Sequence, residues 1–371
     1  MIYKKYLKNF RIITKMLINL DFSKNKPTDI LLLDDGAVDF DFSEFKHKRL
    51  NLNKINIRCF FKTILNWTIR SEKSLGLKEI YKRNLYRSFH PKIIISHHIN
   101  KRSFESKYLC PEIISMTYQF GFVTEHAKYL KDLESKNSRC DYFFVFHEKD
   151  KNTLCKYFNS NFIISGSVRN NEMILNEKKT KDNFITYISE FKNKPKNLNP
   201  EKYKYQKFVY NYQTKSEQII LNILAEFCKK NKKKLTIALR SNRSDKNYKI
   251  KKIDEIKYYE ELIGDKFKYF DLNSYEVAQN SELTVCIGSN LGIELLSRNF
   301  KVFFIPFFGN YNKAQIYPYF DNLNCPFIHN QNEKDLIVKK LNNLINLNID
   351  EWKKIIKTYA KQIMFDPQNL I

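Results

Sequence analysis

Seven residues late in the chain, Gly288 to Glu294, hold its most chemically suggestive pattern. An apolar run rich in β-branched residues, Leu283 to Ile287, breaks at Gly288. Ser289 or Asn290 can then cap a helix whose Leu291, Ile293, Leu295 and Leu296 are spaced for burial. A second buried-type strand, Lys301 to Ile305, follows at once. Where a strand's carboxyl end meets a helix amino end, free N–H groups and the helix dipole favour a phosphate. Glu294 is expected in the first helical turn, within reach of a ribose hydroxyl on whatever carries that phosphate.

Acid–base groups occur at other strand ends. The run from Asp29 to Leu33 ends in Asp34, Asp35 and Gly36, with the two carboxylates at the crevice edge of an open sheet. They serve there as base or hydroxyl-orienting groups, or as turn and helix caps. A strand from Pro91 runs into His97 and His98; successive strand residues face opposite ways, so at most one of them points into a site. Thr124 is a plausible cap for a helix that carries Glu125 and His126, and Arg240 and Ser241 end the strand that begins at Lys234. Asp35, His97, Glu125 and His126 are the candidate general bases.

The elements that must position these groups alternate. Strands are expected at 29–33, 55–61, 91–98, 113–118, 141–147 and 162–166, with a helix at 72–87 and others after Thr124 and Glu148. Residues 171–182 turn polar and lose apolar periodicity, as a linker would. A second run follows: a strand at 184–189, a charged, tyrosine-rich insertion at 190–213, a helix at 217–230 and a strand at 234–240. A helix near 254–263, a strand at 267–271 and a Ser274-capped helix then lead into the corner at Gly288. Helices at 332–345 and 350–365 end the chain. Strands alternating with helices imply an α/β fold with parallel sheets. A length of 371 residues exceeds the usual single core, so two domains are expected. Their ranges are 21–172 and 183–350, after a basic amphipathic helix at 1–20 and before a closing helix at 351–371 that crosses back towards the front half.

Composition narrows the partners. The formal charge is +25, but lysine, asparagine and isoleucine abound throughout, so part of this reflects bulk usage. No nucleic-acid-binding motif accompanies it, and none is expected as partner. The field favours anionic partners such as nucleotide-linked sugars, phosphorylated lipid carriers or an acidic membrane surface. Seven scattered cysteines show no CxxC or Cys/His ligand spacing, which points to reduced thiols in a cytoplasmic protein without a zinc site. Tyr3, Tyr6, Leu7, Phe10, Ile13 and Leu17 recur at helical spacing, with lysines on another side. That helix either lies in an anionic membrane interface, placing the protein at the inner face of the cytoplasmic membrane, or packs on its own domain.

Four stretches carry a family resemblance: Leu31 to Gly36, Tyr118 to Gly121, Ile164 to Val168, and Ala238 to Ser241 together with Ile287 to Glu294. They resemble bacterial surface-carbohydrate biosynthesis proteins, the capsule and lipopolysaccharide transferases of GT-B fold, in which two Rossmann-like domains face each other across a cleft. The resemblance implies a glycosyltransferase acting from a nucleotide-sugar donor on a surface-glycan or lipid-linked acceptor, with no cofactor and no metal. It implies that Gly288, Ser289, Asn290 and Gly292 line the donor phosphates and that Glu294 holds the ribose. Arg240, with Ser241, would neutralise the leaving phosphate. Asp34, Gln119, Gly121, Gly166 and Ser167 would border the cleft. Relatives often carry Gln-His-Gly where this chain has Gln119, Phe120 and Gly121, so a catalytic histidine is lost or replaced. Two alternatives share this fold and pattern: a nucleotide-sugar 2-epimerase and a non-catalytic membrane-associated protein.

Overall fold

The computed structural model describes residues 20–33, 44–50, 54–69, 75–97, 101–121, 128–173, 182–194, 200–240, 248–306 and 325–367. Asp34, Asp35, Glu125, His126, Ser241 and the amphipathic segment 1–19 lie outside them, as does the side chain of His97. The chain divides into two compact units, with the boundary between Val168 and Arg169.

In the first unit a short parallel pair, β1 (Leu20–Asp21) and β4 (Ile55–Asn56), stands beside a six-stranded parallel sheet. That sheet is built from β2 (Ile30–Leu32), β3 (His47–Arg49), β5 (Ile93–His97), β6 (Ile114–Tyr118), β7 (Arg139–Val145) and β8 (Asn159–Ile164), in the spatial order β3-β2-β5-β6-β7-β8. Helices α1 (Ile57–Ile69), α2 (Leu77–Arg87), α3 (Lys101–Leu109), α4 (Lys128–Glu134) and α5 (Glu148–Leu154) lie between the strands in sequence. Every residue of β2 is buried, which is why it reads as an unbroken apolar run. Its core partners include Leu85, Tyr86 and Ile94. The expected strand at 55–61 is a strand for only two residues before α1 begins.

A short helix, α6 (Val168–Glu172), crosses the boundary. In the second unit β9 (Asp182–Ile188), β10 (Lys234–Ala238), β11 (Ser281–Cys286) and β12 (Val302–Phe304) form a parallel sheet ordered β10-β9-β11-β12. Single parallel bridges at Lys268, beside Thr236, and Ile328, beside Phe304, extend it on either side. Taken in chain order, these strands follow the 3-2-1-4-5-6 Rossmann arrangement. Only this bridge stands where a strand was expected at 267–271. The expected insertion at 190–213 is in large part helix: α7 (Pro200–Lys230) runs 31 residues, about 46 Å at 1.5 Å per residue. Then come α8 (Tyr248–Ile263), α9 (Ser274–Gln279), α10 (Asn290–Ser297), α11 (Lys334–Asn346) and α12 (Ile349–Thr358). Helix α9 is capped by Asn273 rather than Ser274; Asn273 Oδ1 accepts Glu276 N–H at 2.8 Å, and the Ser274 hydroxyl donates to the Leu239 carbonyl. The closing helix is anchored within the second unit, where Trp352 is fully buried and donates to the Asn299 carbonyl at 2.9 Å.

Candidate functional site

In an open α/β sheet the crevice forms at the carboxyl ends of strands, where the winding direction reverses. In the second unit that point lies between β9 and β11. Register fixes what meets there: Ile188 pairs with Ala238 and Tyr187 with Val285. Two and three residues further on, Glu190, Arg240 and Gly288 lie at one level beyond three adjacent strands. The backbone N–H of Gly288 donates to Glu190 Oε1 at 3.3 Å. Gly288, Ser289 and Asn290 are half-buried, whereas Leu291 to Arg298 are buried throughout. Ser289 is the N-cap of α10, yet its side chain makes no capping hydrogen bond. The Arg240 side chain is exposed, and its guanidinium donates to the Phe191 carbonyl at 3.4 Å.

Two of the residues expected at the ligand, Gly292 and Glu294, are buried in the second unit. Gly292 packs against the sheet: a Cβ there would meet Cys286 Sγ at 2.5 Å and Phe304 Cε1 at 2.8 Å. The missing Cβ lets α10 approach the sheet closely. Glu294 is the fifth helical residue, past the first turn, and is 4% exposed. Its carboxylate accepts the Tyr275 hydroxyl, so one carboxylate oxygen is already held by the protein. Substituting Gly292 with alanine should cost about 1–3 kcal/mol from overpacking, outweighing the ~1 kcal/mol helix-propensity gain. A urea melt checks this, and a variant as stable as the parent would show that α10 can shift away from β12.

The sequence reading missed the acid cluster behind Glu190. Glu217, on α7, is fully buried and takes hydroxyl donors from Tyr258 at 2.6 Å, Tyr187 at 3.0 Å and Tyr259 at 3.0 Å. Glu255, on α8, is also fully buried; it accepts the Ser189 hydroxyl and the Arg240 backbone N–H at 2.7 Å. Burial, reinforced by the negative charge of Glu217, raises the Glu190 carboxyl to about 7, although Gly288, Lys192 and Arg240 pull it down. Burial also raises Glu217, against its tyrosine hydrogen bonds. One signal was available: Gln213, Glu217, Leu221, Leu224 and Cys228 form the buried stripe of α7, so Glu217 is a charge at an apolar position.

In the first unit Leu32 pairs with Ile95, so the carboxyl end of β2 lies beside β5, which ends at His97. Gln119 is 2% exposed and spent on the protein: Nε2 donates to the Gly121 carbonyl at 3.0 Å, and Oε1 accepts Phe146 N–H at 2.9 Å. Both bonds brace the loop after β6. Gly166 adopts φ +70°, a left-handed turn that favours glycine, and Ser167 beside it is 3% exposed. Among the described residues, no three His, Cys, Asp or Glu side chains group as metal ligands, and no helix is long and apolar enough to cross a membrane.

Known proteins bear on this geometry through fold and family. The chain is similar to a wall teichoic acid polymerase, solved after a soak with CDPG, at 11% identity and TM-score 0.51 over 97% of this chain and 93% of that one. It is similar to a UDP-N-acetylglucosamine 2-epimerase at 10% identity and TM-score 0.50 over 91% and 93%. A Listeria monocytogenes protein described as a "putative UDP-N-acetylglucosamine 2-epimerase" gives 10% identity and TM-score 0.50 over 90% and 91%. At such identities the likeness is one of fold, the GT-B arrangement of two Rossmann-like units. A comparison with curated proteins finds no match. Residues 116–371, which include the whole second unit with its corner at Gly288, match the family described as "putative O-antigen biosynthesis protein", and the chain belongs to that family.

Proposed function

We propose that the protein is a glycosyltransferase that moves a sugar from a nucleotide-sugar donor to a surface-glycan or lipid-linked acceptor during O-antigen-type polysaccharide assembly. The observation that carries this reading is the alignment of Glu190, Arg240 and the amino end of α10 at the switch point of the second sheet. An anion there meets backbone N–H groups, the positive end of a helix dipole and an exposed guanidinium. In the reaction the bond from the anomeric carbon to the donor phosphate breaks, and its electron pair stays on the phosphate oxygen. The acceptor hydroxyl oxygen forms the new bond and loses its proton to a base. Fixed donors at the corner would stabilise the charge that grows on the leaving phosphate, without requiring a metal or a cofactor. Neutral Glu190 would add an O–H donor beside that phosphate. In the first unit His97, Asp35, Glu125 and His126 remain the proposed bases.

Thermal unfolding with a panel of CMP-, UDP- and GDP-sugars tests this reading. At a hundredfold excess over Kd the cognate donor should add about 2.7 kcal/mol, or roughly 5–10 °C in Tm. Ser289→Ala and Arg240→Ala should each shrink that shift. If no donor moves the Tm, the reading fails. Exchange of the sugar C2 hydrogen with solvent deuterium in the absence of acceptor would instead assign the epimerase reaction.

A further inference from the structure

Helix α1 is built inside out. Its inward residues are Cys59, Thr63 and Asn66, at 4%, 0% and 7% exposure. Phe61, Ile64, Leu65 and Trp67 face solvent at 65%, 40%, 54% and 42%. The orientation is held by polar contacts: Asn66 Nδ2 donates to Asn84 Oδ1 at 3.3 Å, and Asn84 Nδ2 donates to Thr63 Oγ1 at 3.1 Å. A helix free to choose would bury its aromatic side, so hydrogen bonds are needed to keep it turned outward. The same surface continues at the amino end of α1, where Asn56 Nδ2 donates to the Ser23 carbonyl at 3.0 Å and Phe22 is 67% exposed.

The flanking charges select the partner. Helix α1 contains no Asp or Glu, and its Arg58 and Lys62 are exposed, as are Lys24, Lys26 and Lys54 near its start. The chain as a whole carries +25. Aromatic and aliphatic side chains on an outward face, rimmed by lysine and arginine and including a tryptophan, match a helix lying in the headgroup region of an anionic bilayer. We infer that α1, with Phe22, is a docking surface for anionic membrane lipid. It does so through insertion of Phe61, Ile64, Leu65 and Trp67, with Arg58 and Lys62 on the headgroups. This surface belongs to the first unit and the corner at Gly288 to the second, and the inference stands whether or not the donor reading holds.

The full-length protein should float with vesicles containing about one-third phosphatidylglycerol and far less with pure phosphatidylcholine, because the charge term is screened and additive per residue. Phe61→Ser with Leu65→Ser should weaken partitioning at least tenfold while leaving the Tm unchanged, since both side chains are exposed in the folded state. Arg58→Glu with Lys62→Glu should abolish the preference for anionic vesicles. Brominated lipid should quench Trp67, because the second tryptophan, Trp352, is 0% exposed and silent to it. Flotation of the Phe61/Leu65 variant at the parental level overturns the inference, as does an unquenched Trp67 in bound protein. A parent protein that stays with the soluble fraction or uses this face to dimerise overturns it equally.

Discussion

Replacing Arg298 with methionine should remove about 3–5 kcal/mol of stability, the usual cost of leaving one partner of a buried ion pair alone. For a unit of this size that is a fall in Tm of about 6–20 °C. Arg298 Nε lies 2.6 Å from Asp366 Oδ2, and the two side chains are 1% and 0% exposed. The guanidinium also donates to the Met173 carbonyl at 2.7 Å and to the Asn170 carbonyl, and Asn170 Nδ2 donates to the same Asp366 oxygen at 2.9 Å. One side chain thus joins the start of the second unit, the carboxyl end of α10 and the tail of the chain. Methionine fills the volume but strands the Asp366 carboxylate in a dry site and orphans two carbonyls. Arg298→Met with Asp366→Leu should recover part of the loss, because no buried charge then remains. A calorimetric melt of the three variants checks this; a single variant within 1 kcal/mol of the parent would show that water reaches the pair. Because α10 carries the corner at Gly288 at its other end, the single variant should also weaken the donor-induced Tm shift expected under the proposed function.

Glu190→Gln should change how ligand binding depends on pH. The carboxyl titrates near 7 because it is drawn out of water beside Glu217, so near neutrality it passes from a neutral donor to an anion. Ionised, it repels an incoming phosphate and keeps the Gly288 N–H for itself. A nucleotide-sugar carries no group titrating between pH 6 and 9, so the dependence belongs to the protein. Donor affinity should fall about tenfold per pH unit above 7 in the parent and stay flat in the glutamine variant, which at pH 8 should bind about tenfold tighter. Stability follows the same proton. In the unfolded chain this carboxyl ionises near 4.5. Between there and 7 the unfolded state releases the proton first, so rising pH costs the folded state stability, and the loss is complete above 7. The glutamine variant should lack that loss and be more stable at pH 8 by about 1–3 kcal/mol, allowing for solvent access to a half-buried group. Parallel slopes in parent and variant, from calorimetric titration across pH 6–9, would remove Glu190 from the site.

What the sequence determined by itself is the local grammar. Alternating apolar runs and amphipathic helices specify Rossmann-like units because inner strands such as β2 and β11 are buried on both faces and the helices pack on one. The corner at Gly288 is legible because a strand-to-helix turn is a contiguous feature. Boundaries are not set locally where periodicity is shared: residues 57–61 fit a strand or a helix, and the packing of Cys59, Thr63 and Asn66 decides. Tertiary structure alone decided which neighbours of the corner are buried and which stay open to solvent. Gly292 and Glu294 sit two residues apart in the motif, yet one is pressed on Phe304 and the other held by Tyr275. Glu190, Glu217 and Glu255 are scattered over 66 positions and come together only through sheet register and two helices. The reason is physical: helix and strand periods are written in nearest-neighbour sequence, whereas burial, which sets both the charge state of a carboxylate and the direction a side chain faces, depends on residues that meet only after the chain has folded.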